Sequence, residues 1–168
     1  LDNGLCTEAE NEFLKVLQKL HHATDGSGVG IAAKDEAFDP LTIIGGMITI
    51  RDGRIRQDLD CRYPTSITGE EIARRLADAL GKAGTVEDAR WKKPFYISAD
   101  DPAIQALVDT YNQVTGENAK PFTMGGGTYA RHFPRAVSFG PERLDTVLPE
   151  FAGPMHGANE GANIDQLM

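Results

Sequence analysis

The chain has 168 residues, 40% of them apolar, and its 25 acidic against 17 basic side chains give a formal net charge of −8. This balance argues against sequence-independent nucleic-acid binding, which depends on Lys and Arg neutralising phosphates. No apolar run reaches the roughly 18 residues of a membrane span, and the distant Cys6 and Cys61 suit neither a disulfide scaffold nor a thiolate zinc site. We therefore predict a soluble protein of a reducing cytoplasm, without nucleic-acid or membrane partners.

The first predicted element is a helix. Thr7 and Glu10 have the spacing of a capping box, and apolar residues recur at helical spacing up to about His22. From residue 23 to residue 40, glycines with polar neighbours predict a loop with little regular structure. The sequence begins at Leu1 without an initiator Met or a secretion signal, so we expect it to be cut from something longer.

A β-hairpin follows. Apolar and β-branched residues on both sides of Gly45-Gly46 predict a strand over residues 41–50 that is interrupted by a bulge. Asp52-Gly53 is a strong signal for a two-residue turn. The return strand alternates, which predicts one charged face and one buried face formed by Ile55, Leu59, Cys61 and Tyr63.

A second helix and a further strand complete this region. A capping box that starts at Thr68 predicts a helix that stops near Gly81 or Gly84, and residues 85–97 are predicted to form a strand. Residues 41–97 therefore predict an α+β arrangement, in which helices pack on one face of a small antiparallel sheet.

The character of the sequence changes near residue 98, where we expect a second domain to begin. Asp101 as N-cap predicts a helix that Gly116 closes. Beyond it only short elements are predicted: strands over 121–124 and 136–139, a tight glycine turn between them, and a helix from about Asn163.

Two features could bind an anion. Residues 125–128, Gly-Gly-Gly-Thr, are either a plain tight turn or a set of backbone N–H groups and a hydroxyl suited to a carboxylate. Arg62 is either a surface ion-pair partner of Asp58 or Asp60, or a bidentate carboxylate clamp on a rigid strand. The sequence leaves both choices open.

His156 lies in a glycine-rich loop. It is either a solvated side chain or a metal ligand whose companions come from elsewhere in the fold. The chain contains no HxxxH or HxD motif and no Glu-Glu pair near its other histidines. One histidine cannot form a catalytic metal site, which needs about three protein ligands.

In their order and spacing, several segments together resemble the C-terminal part of bacterial zinc dipeptidases, within the wider aminoacylase, carboxypeptidase G and carnosinase family. They are VGIAAKDE (29–36), LDCRYP (59–64), GGGTYAR (125–131), SFGP (138–141) and His156 with Asn159-Glu160. The resemblance implies a catalytic α/β domain with two zinc ions, interrupted by an inserted α+β lid. Residues 1–97 would be the second half of the lid, and residues 98–168 the α/β C-terminal segment of the catalytic domain.

The resemblance also assigns roles to individual residues. His156 matches the last zinc ligand, Arg62 the lid arginine that holds the substrate's C-terminal carboxylate, and Gly127 and Thr128 the turn that binds the same end of the substrate. The general base, the other zinc ligands and the lid histidine have no counterpart in this chain, so it carries no catalytic residue of its own. Isolated, it is expected to be inactive and to lose the two zinc ions.

We therefore predict that the chain is part of a metal-dependent dipeptidase, which hydrolyses dipeptides with a free C-terminal carboxylate. Its partners would be the dipeptide and the missing N-terminal part of the catalytic domain. Two alternatives stay open: a non-catalytic binding or dimerisation module that uses the lid sheet, and a fragment of an N-acyl-amino-acid deacylase. Dimerisation through the lid is also open, because some relatives dimerise there and others duplicate the lid within one chain.

Overall fold

The computed structural model describes residues 4–140, 143 and 145–167, which form two units, Leu1–Gly127 and Thr128–Met168. Pro141, at the end of the SFGP motif, lies outside the described residues. In the described part, no helix has the length and apolar character needed to cross a membrane. The first unit contains α1 (Glu8–His22), β1 (Thr42–Arg51), β2 (Arg54–Arg62), α2 (Gly69–Leu80) and α3 (Pro102–Thr115), and the second contains α4 (Ile164–Leu167).

Helix α1 begins at the predicted capping box. The Glu10 backbone N–H donates to the Thr7 hydroxyl at 3.3 Å, and the Thr7 N–H donates to the Glu10 carboxylate at 2.7 Å. The hydrogen bonds from Thr7 lower the pKa of Glu10. The helix ends at His22 as predicted, and a short 3-10 turn, Ser27–Val29, is the regular element described in the following loop.

Strands β1 and β2 form the predicted antiparallel hairpin. Asp52 and Gly53 have φ values of 51° and 73°, the left-handed pair that a tight type I′ turn requires. The register shifts between Gly45 and Ile48, so the predicted bulge is confirmed. A Cβ at Gly45 would lie 2.4 Å from His21 Cε1, so a side chain there would require the imidazole at the end of α1 to move.

Buried side chains of the first unit cluster where the two helices meet the start of β1. Ile31 and Leu41 are fully buried and Ile43 is 1% exposed. Helices α1 and α2 and the loop between α1 and β1 cover them with Val16, Leu17, Leu20, Val29, Ile72 and Leu76. The combination of helices with a two-stranded antiparallel sheet confirms the α+β class.

The predicted buried face of β2 is confirmed only at the end of the strand, where Cys61 and the following Tyr63 pack against the core. Leu59 is 38% exposed and Ile55 and Cys61 are only half-buried, while Ile50 on β1 is 77% exposed. The reason is that the helices pack against the start of β1. The described residues leave the turn end of the hairpin uncovered.

The predicted strand over residues 85–97 is wrong, and so are those over 121–124 and 136–139. Apolar and aromatic residues form a strand only where a neighbouring strand can pair with them. Side chains hold the first segment instead: Tyr63 donates to the Lys92 carbonyl at 3.0 Å, Arg56 pairs with Asp88 at 2.5 Å, and the Trp91 indole donates to Glu70 at 3.1 Å.

The remaining helices begin and end near their predicted signals. Thr68 caps α2 by accepting from the Glu71 N–H at 3.2 Å. Only half of the predicted capping box forms, because the Glu71 carboxylate binds Arg74 and Arg75, which lower its pKa to about 2. Asp101 and Gly116 bound α3, and the last helix, α4, begins after Asn163, as predicted.

Candidate functional site

Arg62 is the last residue of β2. Its Cα pairs with that of Thr42 near the start of β1. The exposed side chain borders a cleft of about 270 Å³, which is lined by Thr24, Thr42, Ile44, Asp60 and Arg62. The cleft therefore combines hydroxyl, apolar and charged groups on a scaffold held by the core.

The guanidinium group of Arg62 remains available to a ligand. Within the described residues it makes no ion pair or hydrogen bond with Asp58, Asp60 or another side chain. The surface ion-pair alternative therefore finds no support in this part of the chain. A guanidinium with free donors in a cleft can bind a carboxylate through two parallel hydrogen bonds.

The glycine turn approaches this arginine. A Cβ built at Gly125 would lie 3.4 Å from Nη1 of Arg62 and 3.5 Å from its Cδ. The structure thus brings the LDCRYP and GGGTYAR segments together, although 62 residues separate Arg62 from Gly125 along the chain. Gly127 is the last residue of the first unit. Thr128 begins the second, where it precedes a short 3-10 turn without a capping side-chain hydrogen bond.

Asp35, which no sequence motif marks as a site residue, is the acceptor of five hydrogen bonds in the described part of this region. Its Oδ1 accepts from the Ala37 and Phe38 N–H groups at 2.9 and 2.8 Å. Its Oδ2 accepts from the Thr65 N–H and hydroxyl at 2.7 and 2.6 Å and from the Ser66 N–H at 3.2 Å. The Thr65 hydroxyl is the main cause of the lowered pKa of Asp35, and the backbone donors add to it. An acidic residue in a loop is not by itself a sequence signal for such contacts.

His156 lies in the second unit, on a tightly folded loop. The Gly153 N–H donates to the Asn159 carbonyl at 2.7 Å, and the His156 N–H donates to the Glu160 carboxylate at 3.2 Å. Both His156 and Asn159 have left-handed backbone, with φ of 62° and 59°. Non-glycine residues in this conformation are uncommon and cluster at functional sites. The imidazole is exposed and makes no hydrogen bond within the described residues.

The described residues do not form a metal site by themselves. No group of three His, Cys, Asp or Glu side chains among them is arranged to hold a metal ion. His156 can offer one imidazole nitrogen, and a catalytic zinc site needs about three protein ligands. Any site that includes His156 therefore requires ligands from beyond this set.

Known protein-family models do not match the chain. Curated relatives do. A protein of Staphylococcus saprophyticus named as a putative dipeptidase is 31% identical over 84% of the chain, and the "Putative dipeptidase YtjP" of Bacillus subtilis is 30% identical over 96%. The chain belongs to this dipeptidase family. The Beta-Ala-Xaa dipeptidase of Lactobacillus delbrueckii subsp. lactis is 28% identical over the whole chain. The chain spans 30–35% of the length of these three relatives.

Membership of the dipeptidase family confirms the resemblance seen in the sequence. The roles of Arg62, Gly127, Thr128 and His156 stay predictions, as does the domain boundary between residues 97 and 98. Of these residues, the structure places Arg62 in the cleft and beside Gly125 of the glycine turn.

The carboxylate of Asp35 makes a testable contribution to stability. Because hydrogen bonds lower its pKa in the folded state, it stabilises the fold above its unfolded pKa of about 3.9, and the gain is lost as pH falls through the folded pKa. We expect Asp35→Asn to lower the urea midpoint at pH 7 and to weaken its dependence on pH below about 4. Urea unfolding of wild type and variant between pH 7 and pH 2 measures this.

The exposed Asp39, four residues away, provides the control. Asp39→Asn should follow the wild-type curve of urea midpoint against pH. If Asp35→Asn also followed it, the Asp35 hydrogen bonds would not contribute to the stability of the folded state.

Proposed function

We propose that this chain is part of a longer dipeptidase that hydrolyses dipeptides with a free C-terminal carboxylate, and that it supplies the grip on that carboxylate. One observation carries the proposal: Arg62 lies in a cleft against the glycine turn, without a carboxylate partner in the described residues. A planar guanidinium matches the two oxygens of a carboxylate, and its position at the end of a strand limits its motion.

The chain's own residues would bind and orient the substrate. Two parallel hydrogen bonds from Arg62 would fix both the position and the plane of the carboxylate, and with it the direction of the peptide bond. Backbone N–H groups of the turn that ends in Gly127, and the Thr128 hydroxyl, would add donors to the same end of the substrate. A Cβ at Gly125 would be in van der Waals contact with the Arg62 side chain, so the turn lies directly beside the guanidinium group.

The reacting centre would be completed from outside this chain. We propose that residues 1–97 belong to a lid, that residues 98–168 belong to the catalytic domain, and that His156 provides one of several zinc ligands. A bound zinc ion of this kind lowers the pKa of a water molecule and polarises a carbonyl. The imidazole of His156 is exposed and lies on a loop with left-handed backbone, and both observations support a role as a zinc ligand. With one such ligand and no general base, the chain alone would be inactive.

Two observations bear on the alternatives. A carboxylate grip serves an N-acyl-amino-acid deacylase equally well, so substrate assays must include N-acetyl amino acids. The hairpin exposes apolar side chains, which favour a surface for binding or for dimerisation through the lid: Ile44, Met47, Ile48 and Ile50.

The free cysteines Cys6 and Cys61 fit the cytoplasmic location that the composition predicts.

Arg62→Lys tests the grip in the complete enzyme. Lysine keeps the charge but cannot form the two-pronged contact, so kcat/KM for a dipeptide should fall by about 1.5–3 kcal/mol of transition-state binding, roughly 10- to 150-fold. The corresponding dipeptide amide should be a poor substrate for wild type and lose little more. Arg54→Lys, at the exposed start of the same strand, should leave both rates unchanged.

Three outcomes of this assay would contradict the proposal. If Arg62→Lys lowered the rates for acid and amide equally, or neither rate, Arg62 would not hold the carboxylate. If N-acetyl amino acids were hydrolysed and dipeptides were not, the deacylase alternative would replace the dipeptidase.

His156→Asn tests the metal-ligand role. Asparagine tolerates left-handed backbone, so the loop should keep its fold while the imidazole nitrogen is lost. We expect the complete enzyme to lose bound zinc, measured by elemental analysis, and most of its activity, with an unchanged melting temperature in the metal-free form. His132→Asn, at another exposed histidine, should keep the wild-type metal content. Full zinc content in His156→Asn would show that the imidazole is only a solvated side chain.

A further inference from the structure

The loop that contains Asp35 lies between the two segments that form the proposed carboxylate grip. The Leu41 N–H donates to the Ala33 carbonyl at 2.8 Å and closes this loop at its base. Within it, the Asp35 carboxylate accepts from the backbone N–H groups of Ala37 and Phe38. The loop therefore has one defined conformation, organised around a single carboxylate.

One side of the loop is tied to the end of β2. The second oxygen of Asp35 accepts from Thr65 and Ser66, three and four residues after Arg62. Between Arg62 and Thr65, Pro64 is fully buried, and the Tyr63 hydroxyl donates to a carbonyl of the following segment. Because proline fixes φ and the next residue is held by Asp35, little freedom remains between the carboxylate and the arginine.

The other side of the loop is tied to the glycine turn. Thr123 lies two residues before Gly125, and its hydroxyl donates to the Ala37 carbonyl at 2.5 Å. Ala37 is also one of the residues whose N–H binds Asp35. A continuous path of hydrogen bonds thus runs from Thr65 through the loop to Thr123, and its two ends lie next to Arg62 and Gly125.

We propose that Asp35 is a positioning residue for substrate binding: by holding its loop between Thr65 and Thr123, it sets the separation of Arg62 and the glycine turn. This inference rests on the proposed function, since it assumes that Arg62 binds the substrate carboxylate. Asp35 itself does not contact the substrate. Its effect is geometric, and displacement of a binding group by about 1 Å can cost about 100-fold in rate.

The charge of Asp35 suits this role. Ionised carboxylate oxygens accept several hydrogen bonds at once, and bonds to a charged acceptor are stronger than those between neutral groups. The donors around Asp35 hold its pKa below the usual range, so the carboxylate stays ionised at neutral pH. Asparagine at this position would present an N–H₂ group to one of these sets of donors, and that side of the loop would be released.

The test uses the complete enzyme with a dipeptide and its C-terminal amide. Asp35→Asn should lower kcat/KM for the dipeptide by about 10- to 100-fold and for the amide by less than about twofold, because the amide does not use the Arg62 contact fully. The double variant Asp35→Asn with Arg62→Lys should behave like Arg62→Lys alone, since both changes act on one contact. If Asp35 had only a structural role, Asp35→Asn would lower kcat/KM for the dipeptide and for the amide by the same factor.

Asp25→Asn is the matched control. Asp25 also accepts from a nearby N–H and hydroxyl, those of Ser27 at 2.9 and 2.6 Å, but it has no bond to the Asp35 loop. The Asp25→Asn variant should keep the wild-type ratio of kcat/KM for the dipeptide to kcat/KM for the amide. If Asp35→Asn does not fold, Thr123→Val removes only the last bond of the path and should lower the same preference by a smaller factor.

The outcomes separate this inference from the function on which it rests. If wild type shows no preference for the dipeptide over the amide, the proposed grip itself is wrong. Suppose that wild type prefers the dipeptide and that folded Asp35→Asn keeps this preference, either with unchanged rates or with both rates lowered by the same factor. The proposed grip would then stand, and the positioning role of Asp35 would be wrong. A selective loss in Asp35→Asn, absent in Asp25→Asn, supports the role.

Discussion

The burial of Leu41 and Ile43, on either side of the first residue of β1, is the constraint on which the rest of the first unit depends. Leu41 and Ile43 are inside the core and their backbone N–H groups donate to the Ala33 and Thr24 carbonyls at 2.8 and 2.7 Å. A two-stranded hairpin is not stable in water by itself, so this anchoring to the helices holds it. Thr42, between the two buried residues, points to the other face and pairs with Arg62.

The same constraint determines what the chain can bind. A slip of one residue in β1 would exchange its buried and exposed faces, so the core fixes the register in which Arg62 faces the cleft. The cleft around Arg62 contains hydroxyl and apolar groups and one acidic side chain, Asp60. In the described residues Arg62 makes no ion pair with Asp60, so its donors are available to an anion. The anion that we propose for this site is the free C-terminal carboxylate of a dipeptide.

Local signals in the sequence were sufficient for the helices and for the hairpin. Thr7, Thr68 and Asp101 cap helices through donors two or three residues away, and Asp52-Gly53 makes a turn from its own backbone preferences. The strand predicted over residues 85–97 failed because pairing depends on a neighbour that the local sequence does not contain. The hydrogen bonds of Asp35 with Thr65, and the proximity of Arg62 to Gly125, join distant segments and leave no periodic pattern in the sequence.

We propose that Arg62, beside the glycine turn, holds the substrate's carboxylate. A crystal structure of the complete enzyme with a phosphinic dipeptide analogue, which mimics the tetrahedral intermediate, tests it most directly. We expect two hydrogen bonds of about 2.7–2.9 Å from the Arg62 guanidinium to the terminal carboxylate, with the turn at Gly125 alongside. A carboxylate bound by other residues, with the Arg62 guanidinium turned to solvent, would contradict it.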